Sequence, residues 1–356
     1  RVGKATYASG DTFEGRWAKG KRCDGDGDYV WADGTAYTGG FRHELRHGAG
    51  HMRYLTGDTY VGQWEGGMRC GRGAIAYIGT RGGDRFDGSW AYDERLDGEG
   101  TMNYADGAIY HGMWRSELRQ GPGVFTSEAG DLFTGEWLND LMEGQGVMNY
   151  SAATAAKSGS VSGTMSVVSS TQGDVTSPGE NGVGAHGLLL PGTFTGPWRA
   201  GLPDGDCGQM AYRGGVVYTG AWKAGARCDG PGTATYADGS VYNGEWVCDR
   251  HSGVGVLTEG LSNGAQYNGQ WTGGLRHGDG CQTYTTASMP HPRCPKHEIQ
   301  FDGKFENGRR ALGCVGSMGY SDGSTYTGEW DDERMHDTKG ALVFSNGDIY
   351  TGPFAQ

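Results

Sequence analysis

The chain has no run of eighteen apolar residues, so its sequence holds no candidate for a helix that spans a bilayer. It has no excess of positive charge: 30 Lys and Arg stand against 42 Asp and Glu, a formal net charge of −12. That balance argues against nucleic acid, which selects a basic stripe. It argues equally against unaided binding to anionic lipid surfaces. Cysteine is sparse, eight scattered residues, and Cys23, Cys70 and Cys228 fall at one recurring position too far apart to pair. A reducing, cytoplasmic setting fits. No secretory leader is expected from this sequence. No Ser or Cys keeps a fixed offset from the ten His, and no Gly-x-Gly sits in a strand-loop-helix pattern, so neither a nucleophile set nor a phosphate cradle is legible. The expectation is a protein that is not an enzyme, with no cofactor and no metal.

What the sequence does have is glycine, 70 residues, and aromatics: 11 Trp, 19 Tyr and 10 Phe. They are ordered. The frame aromatic-x-Gly-x-aromatic recurs thirteen times, mostly every 23 to 26 residues, as in Phe13-Gly15-Trp17, Tyr60-Gly62-Trp64, Tyr110-Gly112-Trp114, Tyr242-Gly244-Trp246 and Tyr350-Gly352-Phe354. A fixed period of that length signals one supersecondary unit stacked on itself. Within a period, Gly98, Gly100, Met102 and Tyr104 stand two apart, Ala105-Asp106-Gly107 makes a turn, and Tyr110, Gly112 and Trp114 are again two apart. Period two with an Asp-Gly turn reads as a β-hairpin. One face of each hairpin is then aromatic and glycine. The other carries residues such as Glu99, Asn103, His111 and Arg115. The glycines leave room for the ring of the next rung to lie flat across the backbone. Charged residues near the turns, such as Lys19-Gly20-Lys21-Arg22 and Gly308-Arg309-Arg310, read as exposed.

The frame with Gly-x-Gly seven or eight residues later, as at Gly48/Gly50, Gly71/Gly73, Gly121/Gly123 and Gly253/Gly255, resembles the MORN (membrane occupation and recognition nexus) repeat. Leu45-Arg46-His47-Gly48 and Leu275-Arg276-His277-Gly278 match its basic-His-Gly stretch. The resemblance implies an all-β, elongated single-sheet solenoid of about thirteen stacked hairpins. Cys207, Val315 and Thr338 replace Gly-x-Gly glycines in the seventh, eleventh and twelfth rungs, where some distortion is expected.

Two interruptions break the period. Residues 151–186 separate a first array, 1–150, from a second, 187–356, and are rich in Ser, Gly, Ala and Thr without an aromatic residue. They read as a flexible insertion. Between the tenth and eleventh frames, His291, Cys294 and His297 stand three apart, with Cys281 upstream. Three prolines stiffen that loop, and it reads as surface rather than as a zinc site.

The functional expectation is a non-catalytic scaffold whose aromatic groove takes a helix or peptide from other structural proteins, with Tyr104, Trp114, Tyr236 and Trp246 among its walls. The resemblance places it in a ciliary or flagellar axonemal complex such as a radial spoke. A phosphoinositide or membrane-contact module and a regulatory array of a larger enzyme are the alternatives. The frame is cut mid-repeat at both ends, so the terminal rungs are expected to be capped by a partner or by more of the same chain.

Overall fold

A computed structural model describes residues 1–79, 81–157, 191–260, 264–285, 298–331 and 334–354. Among them every regular element is a β-strand except one six-residue helix, Ala152–Lys157. The all-β hairpin solenoid expected from the repeat is the fold found. Most of the 151–186 insertion and the loop with His291, Cys294 and His297 lie outside the described residues. The chain forms two compact units, residues 1–154 with 198–201, and residues 155–197 with 202–356. In each unit the strands pair antiparallel with their neighbours in sequence, as an open meander.

One rung shows the rules. Strand Gly98–Asn103 pairs with Ile109–Arg115, setting Gly100 opposite Gly112 and Met102 opposite Tyr110. The turn between them closes from Tyr104 to Ala108: Gly107 N–H donates to the Tyr104 carbonyl at 3.0 Å, and Tyr104 N–H donates to the Ala108 carbonyl at 2.8 Å. The Asp106 carboxylate accepts Ala108 N–H at 2.8 Å, the local bond that makes Asp a turn residue. Turns are also tied to one another. Asp84 accepts Ala105 N–H of the next turn at 2.9 Å, and Asp11 and Asp131 do the same for Ala32 at 2.8 Å and Ser151 at 2.7 Å.

Ile109–Arg115 then pairs with Leu118–Thr126 through a two-residue tip, Ser116-Glu117, whose φ angles are +48° and +68°. Positive φ at both central residues matches the twist of the flanking strands. The register slips between Gly and the second aromatic of the frame, at Gly112/Trp114 and likewise at Gly62/Gln63. The returning strand absorbs the extra residues at the first glycine of Gly-x-Gly, and Gly71 there has φ +56°. The second glycine answers to a different demand. The Tyr60 ring lies over both Gly62 and Gly73, so a Cβ on either would collide with it. The ring that covers the glycines thus belongs to their own rung, and the expected ring of the next rung stands edge-on instead. Tyr60 meets Trp64 at 5.2 Å and 89°, and the next rung's Trp90 at 5.3 Å and 80°.

That T-shaped contact repeats through both units and forms the core, together with hydrogen bonds from the indole N–H. Trp90 Nε1 donates to the Gly73 carbonyl at 2.8 Å, Trp114 Nε1 to Gly100 at 3.1 Å and Trp246 Nε1 to Gly232 at 3.1 Å. Frame tyrosines close the other end: Tyr110 Oη donates to the Met113 carbonyl at 3.0 Å. The faces fall as the alternation requires, with Tyr110, Gly112 and Trp114 buried and His111, Met113 and Arg115 exposed.

Candidate functional site

The residues expected to wall a groove are mostly interior. Trp114 is 6% exposed, Tyr236 4% and Trp246 2%, and only Tyr104 is half-buried. Trp114 is enclosed by Phe86 at 5.5 Å, Tyr110 at 5.2 Å and the Arg95 guanidinium at 5.4 Å. Trp246 stands between Tyr218 and Tyr242, at 5.5 and 5.2 Å. The structure brings Tyr236 and Trp246 together through His251, whose Nε2 shares a hydrogen bond with Tyr236 Oη at 2.7 Å and whose ring lies 4.7 Å from that of Trp246. Tyr104 and Trp114 are at opposite ends of one hairpin, since Trp114 pairs with Gly98.

The aromatic face has a second layer, which sequence reasoning missed. At each hairpin tip one residue of the returning strand pairs with the second frame aromatic, and in most rungs it is arginine: Arg22 opposite Trp17, Arg46 opposite Phe41, Arg69 opposite Trp64, Arg119 opposite Trp114. These arginines do not point to solvent. Each reaches over the core to the ring of the following rung: Arg46 lies 4.4 Å from Trp64, Arg69 4.3 Å from Trp90 and Arg119 4.2 Å from Trp137. A cation over an indole face is worth about 0.5–2 kcal/mol depending on desolvation. Arg22 and Arg310, read from the sequence as exposed, belong to this column, and Arg310 is 4% exposed.

A cation taken out of water requires a counter-charge. The next rung's tip supplies it. Arg69 pairs with Asp93 at 3.2 Å, Arg95 with Glu117 at 2.8 Å, Arg119 with Asp140 at 3.0 Å and Arg227 with Asp249 at 2.6 Å, while Arg22 reaches Glu44 at 3.7 Å. All five acids occupy the second tip position, with φ between +62° and +69°. A non-glycine side chain there is uncommon, and in these five rungs it forms the ion pair. Arg95 holds the Glu117 carboxyl below its ordinary pKa. Arg276 and Arg310 use other acids, Glu259 at 3.3 Å and Glu298 at 2.6 Å. In one rung the column residue is a histidine. The Gly273-Gly274 tip follows His251, which stacks on Tyr242 at 3.6 Å. Burial first, and Arg227 second, push the His251 pKa down to about 3, so it is neutral.

Beside the arginines runs a row of half-buried rings from the strand ends before the turns: Trp31, Tyr54, Tyr77 and Tyr104. Burial pushes the Tyr54 and Tyr104 phenols up. This row and the arginine column are the surface that the aromatic face offers. Among the described residues no group of three or more His, Cys, Asp or Glu is arranged to hold a metal. Cys281 has its thiol pushed up to about 11, by burial and then by Asp302. No described helix is long and apolar enough to cross a membrane.

Comparison with known proteins agrees with the rung geometry. Eight stretches match the MORN repeat, residues 13–36, 37–59, 60–75, 110–132, 133–151, 218–241, 242–258 and 267–289. The chain is 30% identical over 124 residues to Alsin of Mus musculus and 29% identical over 116 residues to Alsin of Homo sapiens. Those matches cover 35% and 33% of this chain but 6% of each relative. Among solved structures, the TCP10 domain of Danio rerio CPAP aligns at a TM-score of 0.32 and 11% identity, over 68% of this chain and 92% of that one. The Drosophila melanogaster SAS-4 TCP domain, in complex with a proline-rich motif of Ana2, aligns at 0.26 and 11%, over 67% and 86%. Scores this low do not establish a common fold. The MORN repeats point to a protein-interaction or membrane-contact module.

Proposed function

We propose that this chain is a non-catalytic scaffold that binds other structural proteins through the second layer of its aromatic face. The observation that carries the reading is the half-buried Trp and Tyr row beside the arginine column, over a core that is already filled. Aromatics and arginine are the residues enriched where proteins meet, and rings held in place by a rigid sheet lose little entropy on binding. The net charge of −12 favours a protein partner over an anionic bilayer. We place the scaffold in the cytoplasm, in a ciliary or flagellar axonemal complex such as a radial spoke; the support for that setting is the sequence resemblance alone. A second reading, a regulatory array within a larger protein, is favoured by the alsin match, which spans 6% of those relatives.

The test is purification of the tagged protein from its own cells under native conditions, with liposome flotation in parallel. The scaffold reading expects a defined assembly with cytoskeletal proteins and no flotation with phosphatidylserine or phosphoinositide vesicles. Flotation without a protein partner would replace it by the membrane reading.

A further inference from the structure

Arg46 breaks the pattern of the column. Its guanidinium stacks on Trp64 at 4.4 Å, lies 5.9 Å from Trp31, and contacts the Met52 sulfur at 3.7 Å and the Gly67 carbonyl. The following tip is Gly66-Gly67, so the position that holds Asp93 or Glu117 in other rungs has no side chain. Among the described residues Arg46 has no carboxylate within ion-pair distance, whereas every other arginine of the column has one. Elsewhere a glycine tip goes with a neutral column residue, His251, or with a substitute acid, Glu259 for Arg276. At Arg46 neither adjustment was made. The cation is half-buried, with half-buried Trp31 and Tyr54 on the same face.

We infer that Arg46 is the seat for an acidic side chain of a partner protein: an Asp or Glu carboxylate takes the place left empty at Gly67, with its flanking residues against Trp31 and Tyr54. The inference rests on the scaffold reading above and names the chemistry of its partner. Charge complementarity selects the occupant. A carboxylate accepts the guanidinium's remaining donors in the geometry the column already uses five times, and it enters a site whose desolvation the stacked rings have already imposed.

Random 12-residue peptides displayed on phage, selected on the full chain, test this. The probes are the enriched peptides, synthesised with their acids and again with each Glu or Asp as Gln or Asn. Two variants accompany the wild type. Arg46→Gln removes the cation. Gly67→Asp supplies the carboxylate from within, at a tip position where five other rungs carry an acid. The expected result is enrichment of acidic peptides, about tenfold or more weaker binding of the amide twins, and a similar loss with each variant. Peptides that bind all proteins and both twins equally would overturn the seat and leave peptide binding intact. If no peptide is enriched, the seat falls, and the scaffold reading is decided separately by the native purification. Arg46-dependent flotation on phosphoinositide vesicles, with peptides indifferent to Arg46, would assign the cation to a membrane and overturn the inference.

Discussion

Gly112 holds its rung by having no side chain. A Cβ there would stand 2.6 Å from the Gly123 Cα and from Tyr110 Oη, and 2.7 Å from the Pro122 carbonyl, while Met113 beside it is 39% exposed. Gly112→Val is expected to cost about 1–3 kcal/mol or more, and Met113→Val about 0.5 kcal/mol or less. Equal shifts in Tm would mean that the faces are reversed. His251 makes the opposite kind of prediction, one of pH. It is buried and neutral, with a folded pKa near 3 against 6.5 for the free side chain. The unfolded chain therefore binds the proton first, and stability falls as pH drops from about 6.5 toward 3. Urea unfolding at pH 7 and pH 4.5 should show the wild type losing about 2 kcal/mol more than His251→Phe over that interval. Identical losses would show that His251 is solvated in the native state.

A hairpin is the element in which the acid and the arginine are joined, and its value depends on depth. Arg227 and Asp249 have side chains only 7% and 18% exposed at 2.6 Å, whereas Arg22 and Glu44 are 18% and 56% exposed at 3.7 Å. Asp249→Asn leaves a desolvated guanidinium and is expected to cost about 3–5 kcal/mol. Glu44→Gln should cost about 1 kcal/mol or less. Equilibrium denaturation compares them, and equal costs would mean that the column is solvated throughout. The aromatic half of this architecture is legible in the sequence, because rings and glycines two apart declare a face. The arginine half is hidden for two reasons. A charge beside a Gly-rich turn reads as solvated, and nothing local shows that the next rung's tip will neutralise it. The spacing also varies: Arg46 stands two residues before Gly48, in phase with Met52, but Arg22 stands three before Gly25. The extra residue sits in the bulge and removes the parity from which a face is read. Tyr104, Trp114, Tyr236 and Trp246 were recognisable as members of the aromatic face. Which of them the core would consume depended on the second layer, which only the register reveals.

In a stack of this kind each rung's core is completed by its neighbours, so damage should stay local. Trp90 packs on Tyr60 and Phe86 and donates to Gly73. In Trp90→Ala, amide exchange is expected to accelerate across residues 59–103 and to remain unchanged across 217–283. Uniform acceleration would show a single cooperative unit instead. For the whole molecule, binding through the second layer of the aromatic face is tested most directly by a photo-reactive p-benzoylphenylalanine placed, one site at a time, in the full-length protein in its own cells. Tyr54 lies half-buried in the second layer, and Met113 lies on the opposite face. The account predicts covalent adducts with another protein from the position of Tyr54 and none from that of Met113. Adducts from Met113 alone, or lipid adducts alone from Tyr54, would contradict it.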